Sequence, residues 1–203
     1  TNKISELPHY LPPTLAAIHL SGNPVTSTSS NSSSIASLFS SKILVMNLTG
    51  IDLSSTMISS LPEEMGNCNQ VLFVNLSHCK NLSDFPMVIC KWKKLLNLNL
   101  SYTSLRVVPE AISQLTVLRV LNLQSCEKLS KFPSKVVGMN LTRLEQLNLL
   151  NCTSLKDPPQ SIVEHSTANL LRYFKGLTQL KEFAKLQKPK PINSLEHLYH
   201  PTM

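Results

Sequence analysis

One phrase recurs along the chain and limits what it can fold into. The clearest copy, residues 118–129, reads LRVLNLQSCEKL and has the form L-x-x-L-x-L-x-x-C-x-x-L. Leu121 and Leu123 have the two-residue period of a strand with one buried face, while Arg119, Val120, Asn122 and Gln124 fill the gaps. Cys126 stands where a small polar or thiol group turns inward, and Leu129 returns to the core. Aligned at the strand centre, the copies read Ile18-His19-Leu20, Met46-Asn47-Leu48, Val74-Asn75-Leu76, Leu98-Asn99-Leu100, Leu121-Asn122-Leu123 and Leu147-Asn148-Leu149. Their central residues are 28, 28, 24, 23 and 26 apart. A unit this short cannot bury its apolar face alone, so the copies must stack into one continuous core.

The second half of each unit has its own signature. Leu61-Pro62, Phe85-Pro86, Val108-Pro109, Phe132-Pro133 and Pro158-Pro159 follow the strands, with Met65, Ile89, Ile112, Val136 and Ile162 three residues after each second position. Proline fixes φ and lacks a donor, which suits the first turn of a short helix. Each unit therefore reads as strand, turn, proline, short helix and return to a parallel strand. This pattern resembles the leucine-rich repeat family, in particular its intracellular type, over about three quarters of the chain. The resemblance implies an α/β leucine-rich repeat solenoid. It would be curved, with a parallel sheet on the concave face, short helices or turns on the convex face and a C-terminal capping helix. The family's inward Asn corresponds to Asn23, Ile51, Cys79, Thr103, Cys126 and Cys152 in successive units. Cys and Thr are acceptable there. Ile51 makes no polar contact, so a distorted second unit is expected.

The expected organisation has four parts. Residues 1–14 look like the tail of a preceding repeat, which implies a piece cut from a longer protein. Residues 15–165 form the solenoid of about six repeats, interrupted by a Ser-rich insertion at 26–41 in which Ile35, Leu38 and Phe39 are apolar. Residues 166–187 form the capping helix, with Leu170, Phe174, Leu177, Leu180 and Ala184 at helical spacing. Residues 188–203, opening on K-P-K-P, read as a linker or disordered end.

The five cysteines include no C-x-x-C pair, so zinc has no support, and they read as reduced buried thiols of a cytoplasmic protein. Seven N-x-S/T matches occur, at Asn31, Asn47, Asn75, Asn81, Asn99, Asn140 and Asn151, and three of them come from the repeat phrase itself. No run of 18 apolar residues is present, so no membrane span is expected. The net charge of +7 is concentrated in the tail: residues 168–203 contribute +4. Nucleic-acid binding wants a basic stripe with interleaved aromatics, and the strand positions carry mostly Asn, Ser and Gln instead, so no nucleic acid is expected.

No nucleophile, base and orienting group recur where the repeat would bring them together, and no glycine-rich phosphate loop exists, so no enzyme and no cofactor are expected. The expected function is a non-catalytic protein–protein interaction module, monomeric as a module. It would serve as the regulatory or sensing arm of a larger intracellular signalling protein, binding a protein partner or another domain of the same parent. Interface energy concentrates in aromatics and Arg. The candidate concave-face residues are Phe73, Asn75, His78, Asn99, Tyr102, Arg119, Asn122, Glu145 and Asn148, with Phe73, Tyr102 and Arg119 in one patch across consecutive units. Two further resemblances bear on the parent. The junction from Pro158-Pro159 through Ile162 to Phe174 is similar to the end of the array in Roco-type proteins, with His165-Ser166 in place of their Gly-containing turn. It implies a regulatory array preceding a GTPase domain, although no G-x-x-x-x-G-K-[ST] follows before Met203. The phrases LNLSHCKNLSDFP and LNLQSCEKLSKFP are similar to repeats of nucleotide-binding immune receptors. A secreted or cell-surface ligand-recognition ectodomain is a further alternative.

Overall fold

The computed structural model describes residues 14–27, 47–164 and 167–186, together with residues 4, 7, 12, 35 and 39. Most of the Ser-rich insertion, most of residues 1–14 and all of 188–203 lie outside the described residues. Six three-residue strands form one parallel sheet whose spatial order is the order of the chain: β1 (Ala17–His19), β2 (Gly50–Asp52), β3 (Phe73–Asn75), β4 (Asn97–Asn99), β5 (Val120–Asn122) and β6 (Gln146–Asn148). The middle residues Ile18, Ile51, Val74, Leu98, Leu121 and Leu147 pair in register and are all buried.

The register of the second unit corrects the expectation. Ile18 pairs with Ile51, not with Met46, so Asp52 takes the column of His19 and Asn75, and Asn47 lies before the strand. Leu48-x-x-Ile51-x-Leu53-x-x-Thr56 satisfies the whole phrase, with Leu48, Ile51 and Leu53 at most 3% exposed. Met46-Asn47-Leu48 imitates only its middle. Ile51 is therefore a core strand residue, and the inward polar position belongs to Thr56.

Thr56 and its equivalents close each unit. Thr56 Oγ1 donates to Leu53 O at 2.7 Å, and Cys79 Sγ reaches the same carbonyl from the next unit at 3.1 Å. The arrangement repeats at Leu100 O, which accepts from Thr103 Oγ1 (2.8 Å) and Cys126 Sγ (3.1 Å), and Cys152 Sγ donates to Leu123 O (3.1 Å). Threonine thus satisfies its own turn, whereas cysteine ties its unit to the preceding one. Asn23 holds the first turn through Leu20 O at 3.1 Å. All five cysteines are buried and unpaired.

Between strand and ladder residue the chain turns through left-handed backbone, at Gly22, Ser55, His78, Tyr102, Ser125 and Asn151, with φ between 55° and 71°. A β-carbon is strained there. The column before the turn offsets the cost: the side-chain oxygens of Asp52, Asn75, Asn99, Asn122 and Asn148 each accept the N–H two residues on, at 3.0–3.2 Å. The amide column is therefore spent on turns within units rather than on a ladder between coils. The exception is Asn148 Nδ2, which donates to Gln124 Oε1 at 3.3 Å.

On the convex side Pro62, Pro86 and Pro109 lead into single-turn 3₁₀ helices at Glu63–Asn67, Met87–Lys91 and Glu110–Gln114. Met65, Ile89 and Ile112 fill the core. Pro133 and Pro159 lead instead into α1 (Ser134–Asn140) and α2 (Gln160–Val163), where the wider turn moves the inward residue one place, to Val137 and Val163. Trp92 is fully buried, its Nε1 donating to Met65 O at 2.9 Å. The lysines around it stay exposed and tie neighbouring units: Lys91 to Glu63 (2.6 Å), Lys94 to Gln70 (2.6 Å) and Lys93 to Gln114 (2.7 Å).

Helix α3 (Thr167–Leu186) lies across the last turn of the array, against α1, α2 and β6. Leu170 and Phe174 are buried, and Phe174 stacks on Phe132 at 5.6 Å between ring centres. Asp157 joins both helices to the last unit, accepting from Ser134 Oγ at 2.7 Å and from Tyr173 OH at 2.8 Å. Gly138 permits the close approach: a β-carbon there would lie 2.6 Å from the Phe174 carbonyl oxygen.

Candidate functional site

Strand side chains alternate, so the residues flanking each buried centre face the concave side. Before the centre stand Ala17, Gly50, Phe73, Asn97, Val120 and Gln146, and after it His19, Asp52, Asn75, Asn99, Asn122 and Asn148. The face is polar and mostly uncharged. Gly50 leaves a gap in the first column between Ala17 and Phe73. The gap, with Asp52, Phe73, Asn75, Asn97 and Asn99, forms an open depression of about 320 Å³. The Phe73 side of it is apolar and 51% exposed. Across it, Asp52 uses only Oδ1 internally, accepting from Ser54 N at 3.0 Å and Ser54 Oγ at 2.7 Å.

The structure divides the residues singled out from sequence into four groups. Phe73, Asn75 and Asn99 share the depression. His78 and Tyr102 lie past the strand ends in the left-handed turns, where their rings stack at 4.4 Å and 7°. They border a second depression of about 360 Å³ with Lys80, Glu127 and Lys128. Arg119 and Glu145 precede β5 and β6 and form an exposed ion pair at 3.7 Å. By strand register Arg119 is two strands from Phe73, about 10 Å away, and Tyr102 lies in the turn that follows β4. Phe73 and Tyr102 therefore border different depressions, and Arg119 borders neither. Asn122 and Asn148 continue the polar column beside Gln124. Sequence reasoning missed Gly50 and Asp52, because the second unit was aligned on Asn47. Counting 23 residues back from Asn75, the spacing seen between Asn99 and Asn122, lands on Asp52.

Burial raises the pKa of all five thiols, pushing Cys68 and Cys152 up to about 12. A buried, protonated thiol is a poor nucleophile and a poor metal ligand. Among the described residues no group of three His, Cys, Asp or Glu is placed to hold a metal ion, and no helix is long and apolar enough to cross a membrane.

Parallel strands stacked in chain order, an inward polar-or-thiol ladder and proline-led convex turns make this a leucine-rich repeat solenoid. No family model and no curated protein matches the sequence. Among solved structures, the Arabidopsis receptor kinase HAESA, in complex with the peptide hormone IDA and the co-receptor SERK1, is 25% identical. The match covers 70% of this chain and 23% of that one, with a TM-score of 0.51. The leucine-rich repeat domain of the type III effector XopL is 29% identical over 56% of this chain and 37% of its own, with a TM-score of 0.46. The ectodomain of GASSHO1/SCHENGEN3 from Arabidopsis thaliana, in complex with CASPARIAN STRIP INTEGRITY FACTOR 2, is 21% identical. That match covers 67% of this chain and 18% of its own, with a TM-score of 0.42. The chain thus spans less than two fifths of the length of each. Leucine-rich repeat domains are in general non-enzymatic modules for protein–protein interaction.

Proposed function

We propose that this solenoid is the regulatory or sensing arm of a larger intracellular signalling protein, and that its concave face holds a protein partner or another domain of its parent. The observation that carries the reading is the exposed Phe73 ring beside an open, mostly uncharged depression. A half-exposed aromatic on a rigid sheet is the type of anchor that dominates protein interfaces. Five buried unpaired thiols support a cytoplasmic setting. The Roco-type reading, a regulatory array before a GTPase domain, rests on the resemblance at residues 158–174. It requires a phosphate-binding loop further along the parent's reading frame. The test is capture of partners from a lysate by the full chain and by Phe73→Ala, Tyr102→Ala and Arg119→Ala separately, compared by quantitative mass spectrometry. We expect Phe73→Ala to lose a partner that the wild type retains. Equal recovery by all three variants refutes the concave assignment.

A second reading, a ligand-recognition ectodomain, has its own support. Asn81, Asn140 and Asn151 are exposed N-x-S/T asparagines away from the concave columns, so glycans there would leave that face open. Intact mass of the protein from its native source decides: hexose-bearing forms favour the ectodomain, and the bare polypeptide mass favours the intracellular arm.

A further inference from the structure

Asp52 carries a charge that its structural role does not need. Its Oδ1 closes the turn after β2 by accepting from Ser54. In four later units the same turn is closed by the neutral oxygen of Asn75, Asn99, Asn122 or Asn148. Oδ2 of Asp52 has no partner among the described residues. It borders the depression left by Gly50, where Asp52 is the one carboxylate in the lining and His19 stands beside it in register. The exposed ring of Phe73 flanks the same space from the neighbouring strand, and Asn97, beside Phe73 in register, adds a carboxamide without a partner among the described residues.

We propose that this depression is the seat for an arginine side chain of the protein partner. The proposal rests on the concave-face reading above and deepens it. A guanidinium is planar, so it can lie on the Phe73 ring and direct its N–H groups at Asp52 Oδ2 and the Asn97 oxygen together. Lysine offers a compact charge without the stacking plane, and a neutral side chain leaves Asp52 unanswered. The seat is open along the sheet because residue 50 has no side chain. A β-carbon at position 50 would meet only the Ala17 β-carbon, at 3.4 Å. A larger side chain there takes up the space of the seat.

The test titrates the isotope-labelled full chain with N-acetyl-arginine N-methylamide, and separately with its citrulline analogue, a neutral isostere. Shifts are followed in two-dimensional NMR spectra. The arginine compound is expected to give saturable shifts at the amides of Asp52, Phe73 and Asn97, and the citrulline compound none. Asp52→Asn keeps the turn, as four other units do, and weakens arginine binding about two- to fivefold, the scale of one exposed ion pair. Gly50→Val, which leaves the charge in place, abolishes the shifts. Equal response to arginine and citrulline, or arginine shifts indifferent to Asp52→Asn, overturns the proposal, as does silence at these amides up to tens of millimolar. The two failures are separable. If Phe73→Ala loses its partner in the capture experiment while the titration is negative, only the arginine seat falls. If capture is indifferent to Phe73→Ala, Tyr102→Ala and Arg119→Ala alike, the concave reading falls, and the seat with it.

Discussion

Gly138→Ala pits local propensity against tertiary contact. Position 138 lies inside α1, where alanine is favoured over glycine by about 1 kcal/mol. Considered alone, the helix predicts stabilisation. The packing predicts the reverse. The new β-carbon would stand 2.6 Å from the Phe174 carbonyl oxygen and 2.9 Å from its carbonyl carbon, which are backbone atoms with no rotamer to escape into. Helix α3 must retreat by most of an ångström or leave. Its departure uncovers Leu170, Phe174 and the Phe132 ring, and fully burying one such side chain contributes about 1.5–3 kcal/mol. The net expectation is destabilisation by about 1–3 kcal/mol. A double-mutant cycle sharpens it. Phe174→Ala alone should cost about 3–5 kcal/mol. In the Gly138→Ala background it should cost at least about 1 kcal/mol less, because the ring has already been displaced. Urea unfolding of the four proteins measures this, and the m-value of Gly138→Ala should fall, since a detached α3 exposes less new surface on unfolding. Stabilisation by Gly138→Ala, or costs that add to within about 0.5 kcal/mol, would refute the docking of α3 described above.

Four further outcomes follow from the same geometry. Leu121→Ala, at the centre of β5 with no exposed surface, should lower the unfolding free energy by about 2–5 kcal/mol, and a midpoint unchanged in urea would mean the unit register is wrong. The thiols should resist iodoacetamide in the native protein at about pH 8.5 and all react in urea. Because their folded pKa values lie above the ordinary thiol value of 9.0, with Cys68 and Cys152 at about 12, they favour the folded state fully below pH 9. Unfolded thiols ionise first as the pH rises, so that stability is lost between about pH 9 and 12, which urea midpoints across the range would detect. Asp52→Asn should change stability by less than about 0.5 kcal/mol by thermal denaturation, since a carboxamide oxygen closes the same turn in four other units.

The solenoid was legible because its period is written in large apolar residues, each of which needs a neighbouring unit to cover it. The proline-led convex turns were legible for the same reason, since proline restricts the backbone before any packing occurs. The second unit was not. Leu48 belongs to the first position of its phrase, but Asn47-Leu48-Thr49 copies the local wording of Asn75-Leu76-Ser77, and only pairing with Ile18 and Val74 chooses between the two registers. That choice decided the site, because it brings Gly50 and Asp52 onto the concave face. The separation of Phe73 from Tyr102 was hidden differently. Both follow the repeat spacing, but the left-handed turn carries Tyr102 off the sheet and onto His78. Sequence gives the order of residues along a unit, while the turn geometry decides which edge of the solenoid each reaches.

The strand order β1 to β6 bears on how the protein is made. Each strand pairs only with the one before it and the one after it. A ribosome adding about 5–20 residues per second releases a unit of some 23 residues every few seconds, whereas a short strand and turn settle in about microseconds. Each unit from β2 on therefore emerges beside the strand it pairs with. Each newly emerged unit is an uncovered core face until its successor arrives. Beyond β6 the cover is α3, which docks Phe174 over Phe132 and Gly138.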